Sequence, residues 1–167
     1  MALDVADRLA HLRMRNPALR LFGLVDGLQY ETLRGERLDH RHGFAPLFHG
    51  TPDAALAHAG PWLVDAEAAG DAVTADLARL ERELPSVTWL ITEMDLHGLM
   101  QLLQLQLDAR LPDGRVALVR FWDPRVLAEL VNVLTPEQRE TFFAHIHEWH
   151  LLRNGERVHI GRADADI

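Results

Sequence analysis

Lysine and cysteine are both absent from this chain of 167 residues, and serine and tyrosine occur once each, as Ser86 and Tyr30. Without cysteine there is no disulfide, no thiolate zinc site and no thiol nucleophile. Without lysine there is no Schiff-base amine and no phosphate-loop ammonium. Ser86 lies in Leu84-Pro85-Ser86-Val87, not in the Gly-x-Ser-x-Gly elbow of a serine hydrolase. Any catalysis would fall to carboxylates, histidines, threonines or a metal. The 17 basic residues are all arginine and face 25 acids, for a net charge of −8. With no basic run, that balance argues against nucleic acid as the main partner. No apolar run approaches the roughly 20 residues of a membrane span. The opening MALDVADRLAHLRMR carries charges throughout and lacks the apolar core of a signal peptide. A cytoplasmic protein without membrane attachment is the expectation.

Nearly half of the residues are apolar, enough for one domain over 1–167 with a buried core. Val5, Leu9 and Leu12 share one face of a helix within residues 1–18. Leu19 to Val25 reads as a buried strand that Asp26-Gly27 ends. Glu31 to Gly43 is polar and reads as a loop or surface insertion. Phe44 to Phe48 suggests a short strand, Thr51-Pro52 opens a short helix through His58, and Trp62 to Val64 reads as a brief strand. Val73, Leu77, Leu80 and Leu84 mark a helix over about Asp71 to Leu84, stopped by Pro85. Val87 to Thr92 is a β-branched and aromatic strand, and Asp95 caps a helix through roughly Gln101. Leu103 fits both that helix and the next pattern. From Leu103 to Leu111, leucine and alanine alternate with glutamine, aspartate and arginine, the period of a strand. Pro112-Asp113-Gly114 turns the chain, and Arg115 to Trp122 returns. Asp123 then caps a helix that begins at Pro124. Thr135-Pro136-Glu137-Gln138 is a capping box for another. Trp149 to Leu152 and Val158 to Ile160, around Asn154-Gly155, suggest a terminal hairpin. Residues 161–167 read as a frayed tail. Strands alternating with helices, followed by hairpins, predict an α/β fold: a mixed sheet with a parallel centre and an antiparallel hairpin edge, packed by helices.

Three groups of residues stand out as sites. Arg120, Asp123 and Arg125 gather where a strand meets a helix. An Arg120–Asp123 pair would pin the helix start. Arg125, unfavourable against the helix dipole, calls for an acidic partner inside the fold or on another protein. Trp122 alternates with Phe121, so one of the two faces the core and the other points outward or under a helix; an exposed tryptophan would anchor a protein partner. Asp26, with Gln29, sits at a strand's carboxyl end, a common ligand position in α/β folds, but lacks the glycine cradle of a phosphate site. His145, His147 and His150 are the third group. No regular helix or strand puts all three on one face, although a kink at a helix end would. They read as histidines around Trp149. A metal-dependent hydrolase built on them is the enzymatic alternative, and a small-ligand regulatory domain using Asp26 is another. No cofactor cradle is apparent.

The block VALVRFWDPRVLAELVNVLTPEQRETFF, with LFGLVDGLQY and PWLV upstream, resembles the DUF4123 family. The resemblance spans roughly residues 19–152, and R-F-W-D-P-R is its most specific part. It implies a non-enzymatic adaptor chaperone of the bacterial type VI secretion system. Such an adaptor binds the N-terminal region of a toxic effector and connects it with the C-terminal region of the spike protein. Family members often carry a sizeable variable region after the conserved domain. Only about 15 residues follow Leu152 here, so effector selection or spike contact is expected to be reduced, placed elsewhere or supplied by another protein.

Overall fold

The computed structural model describes residues 3–161. Helix α1 (Leu3–Arg13) leads to strand β1 (Arg20–Asp26), helix α2 (Gly27–Arg34) and strand β2 (Phe44–Pro46). A 3-10 turn over Ala54–Ala59 precedes β3 (Pro61–Asp65), the short α3 (Ala66–Ala69), α4 (Asp71–Glu83) and β4 (Val87–Thr92). Helix α5 (Leu96–Leu105) follows, then a small hairpin of β5 (Asp108–Arg110) and β6 (Val116–Leu118). Helices α6 (Pro124–Val133) and α7 (Pro136–Phe143) lead to a last hairpin, β7 (Glu148–Arg153) and β8 (Glu156–Gly161). Of the tail expected to fray, residues 162–167 lie outside the described residues.

One sheet of order β2-β3-β1-β4-β7-β8 forms the middle layer. Alternate residues of its strands enter two separate cores. Leu21 and Val25 of β1, Trp62 and Val64 of β3, and Val87, Trp89 and Ile91 of β4 pack with Val5 and Leu9 of α1 and Leu77 and Leu80 of α4. On the opposite face Phe22, Leu24, Leu63, Leu90, Trp149 and Leu151 pack with Leu99 and Leu103 of α5, Leu127 of α6 and Phe143 of α7. The protein is therefore an α/β sandwich of three layers with a sheet buried on both faces.

The expected parallel centre is not there. Every neighbouring pair of strands in the sheet is antiparallel. The crossover from β3 through α4 to β4 is present, and those two strands do run the same way. However, β1 lies between them and pairs antiparallel with both.

The expected strand from Leu103 is also revised. Asp95 caps α5 through the Gly98 N–H at 2.7 Å, and Leu96, Leu99 and Leu103 put one helical face on the core. The helix therefore continues to Leu105, and β5 is only three residues long. Gln104 donates from Nε2 to the carbonyls of Leu47 and His49, at 3.0 and 2.9 Å. The β5–β6 pair forms a second, two-stranded sheet outside the main one. The terminal hairpin does supply an antiparallel edge. Asn154 and Gly155 take φ of 53° and 78°, the left-handed values that a tight hairpin turn requires.

Two buried ionic groups tie the ends of the chain to the sheet. Trp89 Nε1–H donates to Glu81 Oε2 at 2.6 Å, and Arg157 of β8 pairs with both Glu81 and Asp4 of α1. Glu148 of β7 accepts Arg8 Nε on both carboxylate oxygens at 3.1 Å and meets His150 Nε2 at 2.8 Å. Burial raises the Glu148 carboxyl, but Arg8 and His150 outweigh it and hold the group below the usual carboxylate range. Burial lowers the His150 imidazole despite Glu148 beside it.

Arg157→Ala leaves Glu81 buried without its cation and should cost about 3 kcal/mol in urea unfolding. A depressed carboxylate stabilises the fold above its unfolded pKa and loses that contribution as pH falls through its folded pKa. A depressed imidazole contributes fully above the unfolded histidine value of about 6.5 and loses it as pH falls toward its folded value. Both terms therefore act in the same direction. Glu81 and Asp26, whose carboxyls burial raises, act in the opposite sense, so the test is a comparison: acidification from about pH 6.5 should lower the urea midpoint of the unaltered protein more than that of His150→Gln.

Candidate functional site

Strand β1 ends at Asp26, which is 1% exposed. Its Oδ1 accepts the N–H groups of Leu28 and Gln29 at 3.0 and 3.2 Å, so Asp26 is the N-cap of α2. That helix occupies part of the stretch expected to be a loop. Its signals are the capping aspartate and Gly35, which closes it with a left-handed φ of 70°. Few apolar residues mark its course, and Tyr30 is buried beside Leu38 and Val73.

Gly27 is the residue the sequence reading undervalued. Its N–H donates to the Gly60 carbonyl at 2.9 Å. A β-carbon there would collide with the His58 carbonyl oxygen and lie 2.7 Å from that of Gly60. Gly60 is confined in turn, because a β-carbon on it would stand 2.5 Å from the Phe48 ring. The Asp26-Gly27 pair is therefore a close packing of α2 on the 3-10 turn rather than an ordinary loop reversal.

The second part of the site follows β6. Between Val119 and Asp123 the chain forms a turn rather than a strand, with the Asp123 N–H on the Arg120 carbonyl at 3.1 Å. The alternation expected of Phe121 and Trp122 therefore fails. Both are buried, Trp122 at 3% exposure. Trp122 meets the edges of Phe48 and Phe121 at 5.6 and 5.9 Å between ring centroids. It is a core residue and not an exposed anchor. The Arg120 guanidinium stands 5.9 Å from the Trp122 ring and remains exposed.

Asp123 caps α6 as predicted, accepting the Arg125 N–H at 2.9 Å. The partner of its carboxylate is Arg125 rather than Arg120: Nε and Nη2 approach the two oxygens at 3.1 and 2.8 Å. The acidic partner that Arg125 required is thus internal, although 66% of its side chain stays exposed. Arg125 also borders a groove of about 610 Å³ between the end of α4, the start of α6 and the β7–β8 turn.

These two parts are electrostatic neighbours. Burial pushes the Asp26 carboxyl up, its two backbone N–H bonds and Arg120 oppose the rise, and Asp123 adds to it. For Asp123 burial acts in the same sense, but Arg125 and Arg120 overcome it and hold the carboxyl below its usual range. Two helix N-termini, two buried caps and two exposed guanidiniums therefore form one cluster. Gln29 joins it through its backbone. Chemically, both carboxylates are engaged in capping, and the groups presented outward are those of Arg120 and Arg125.

The histidines do not converge. The His145 carbonyl accepts from Thr92 Oγ1, the His147 N–H donates to the Ile91 carbonyl, and His150 belongs to the Glu148 pair. Among the described residues no three or more His, Cys, Asp or Glu are grouped to hold a metal ion. No helix among them is long and apolar enough to cross a membrane.

Gly27→Ala should destabilise the fold by about 2–3 kcal/mol, because the clash is with backbone and not with a movable side chain. Equilibrium unfolding in urea measures it, against Gly35→Ala, where a β-carbon meets nothing within 4 Å and only the left-handed φ of 70° penalises alanine, by about 1 kcal/mol.

No curated protein and no solved structure gives a match to this chain. A family model described as a domain of unknown function, DUF4123, matches residues 21–141. That span holds nearly all of β1, the α2 cap at Asp26, the centre of the sheet and the whole Arg120–Arg125 turn, and with that match the protein belongs to the DUF4123 family.

Proposed function

We propose that this protein is an adaptor without catalytic activity of its own, which binds a cognate type VI secretion effector and helps to load it on the spike protein. It acts in the cytoplasm of the producing cell. The effector's N-terminal region and the spike's C-terminal region are its partners. The family match over residues 21–141 is the observation that carries this reading. The site chemistry is consistent with it: buried carboxylates fix two helix starts and leave Arg120 and Arg125 exposed, with Arg125 held on Asp123. A guanidinium held in place by an internal partner, as Arg125 is by Asp123, loses little freedom when it binds a carboxylate, which favours recognition of an acidic surface. In a chain of net charge −8 such a local basic pair also orients an approaching partner.

Co-expression with the toxin and spike protein from the same gene neighbourhood tests this directly. A complex with the toxin should persist on a sizing column and disappear when the toxin's N-terminal segment is removed. Arg120→Glu combined with Arg125→Glu should stay folded at a lower urea midpoint, because Asp123 loses its cation, and weaken the complex by about tenfold or more. A folded, monodisperse protein that binds neither partner would overturn the adaptor reading. Unchanged binding by the double variant would overturn only the placement of the contact.

A further inference from the structure

A second groove, of about 650 Å³, opens between the loop before β2 and the start of α5. It shares no residue with the Asp26–Arg125 cluster. Its floor is apolar, built by Phe44, Pro46, Leu96 and Met100. Its rim is Arg41 with four histidines, His40, His42, His49 and His97. No aspartate or glutamate lines it, although acids outnumber basic residues 25 to 17 in the chain. The Arg41 guanidinium lies 4.2 Å from the centre of the Phe44 ring, and the His40 and His49 rings are 6.2 Å apart.

The acids on the flanking elements are turned to other work. Asp39 approaches Arg41 Nε at 4.0 Å. Asp95 caps α5 through the Gly98 N–H. Asp65, at the end of β3, is held by Arg20 at 2.7 Å and caps α3. The rim therefore presents donors without a carboxylate of its own lining the groove, and the Arg41 charge is partly offset by Asp39.

Strand β2 is the edge of the sheet at this groove, yet it cannot recruit an extra strand. The Phe44 N–H is bonded to the Arg41 carbonyl at 2.9 Å, Pro46 has no N–H, and the Pro46 carbonyl accepts from His49 at 3.2 Å. A ligand here is gripped by side chains, not by a backbone ladder.

We propose that this groove docks an acidic, apolar peptide segment of another protein, with its apolar side chains on the floor and its carboxylates on the Arg41 and histidine rim. The inference rests on charge complementarity and stands independently of the adaptor reading.

The test uses the full chain and a short fluorescent peptide of alternating leucine and glutamate, read by fluorescence anisotropy. The leucine–glutamate peptide should bind at least about fivefold more tightly than its leucine–glutamine counterpart. His49→Ala with His97→Ala, both at exposed positions, should leave thermal unfolding unchanged and weaken that binding by about threefold or more. Arg41→Glu, also exposed, should weaken binding by about tenfold. Equal binding of the glutamine peptide, binding unaltered in the double histidine variant, or no binding of the leucine–glutamate peptide would overturn the proposal.

Discussion

The burial of β1 is the constraint on which the rest of this structure depends. Six of its seven residues are buried, and both of its edges are hydrogen-bonded, to β3 and to β4. A strand so placed must be apolar on both sides, and Gly23 in its middle shows how tight the fit is: a β-carbon there would meet Leu77 at 3.3 Å and Trp89 at 3.5 Å. Such a strand also delivers its last residue into the interior, where an unpaired polar group is costly. Asp26 resolves this by turning its carboxylate onto the first N–H groups of α2. β3 repeats the arrangement, with Asp65 accepting the N–H groups of Glu67 and Ala68. At both places a buried aspartate ends the strand and starts the helix, with no intervening loop.

The same burial explains why the site contains arginines. Asp26 and Asp123 reach one region from distant parts of the chain and repel each other there. Asp123 remains a good anion because Arg125 is bonded to it and Arg120 is close. Asp26 has no such direct partner, and its carboxyl is displaced upward. The exposed Arg125 guanidinium is thus fixed by the needs of the α6 cap, which gives that part of the surface chemistry a structural origin.

Much of this was legible in the sequence where one residue type has one dominant use. Asp123-Pro124 and Thr135-Pro136-Glu137-Gln138 open α6 and α7 where expected, and Val87 to Thr92 is a strand over that span. Asn154-Gly155 marked the terminal hairpin. The failures share another cause: periodicity reports burial, not direction. Strands alternating with helices suggested a parallel centre. Nothing local reveals that β1 is inserted between β3 and β4. Leu103 satisfied two periods, and only the core contact with Leu99 decided for the helix. For α2, eight largely polar residues gave no apolar stripe, and its evidence lay in the caps at either end. The joining of Asp26 to Asp123 is a tertiary fact, and neither segment points to the other.

The β5–β6 hairpin stands apart from all of this. It has no neighbour in the main sheet, and its outward face carries Val116 and Leu118, at 62% and 41% exposure, opposite Arg110 and Asp108. Two strands alone are marginal in water. Its opening need not disturb the buried strands, so its amides belong to a cooperative unit of their own. Solvent protons would reach them through local fluctuations long before the global unfolding that exposes β1. The molecule thus combines a slowly exchanging slab with a labile arm, and that arm leads directly into the turn that carries Arg120 and Asp123.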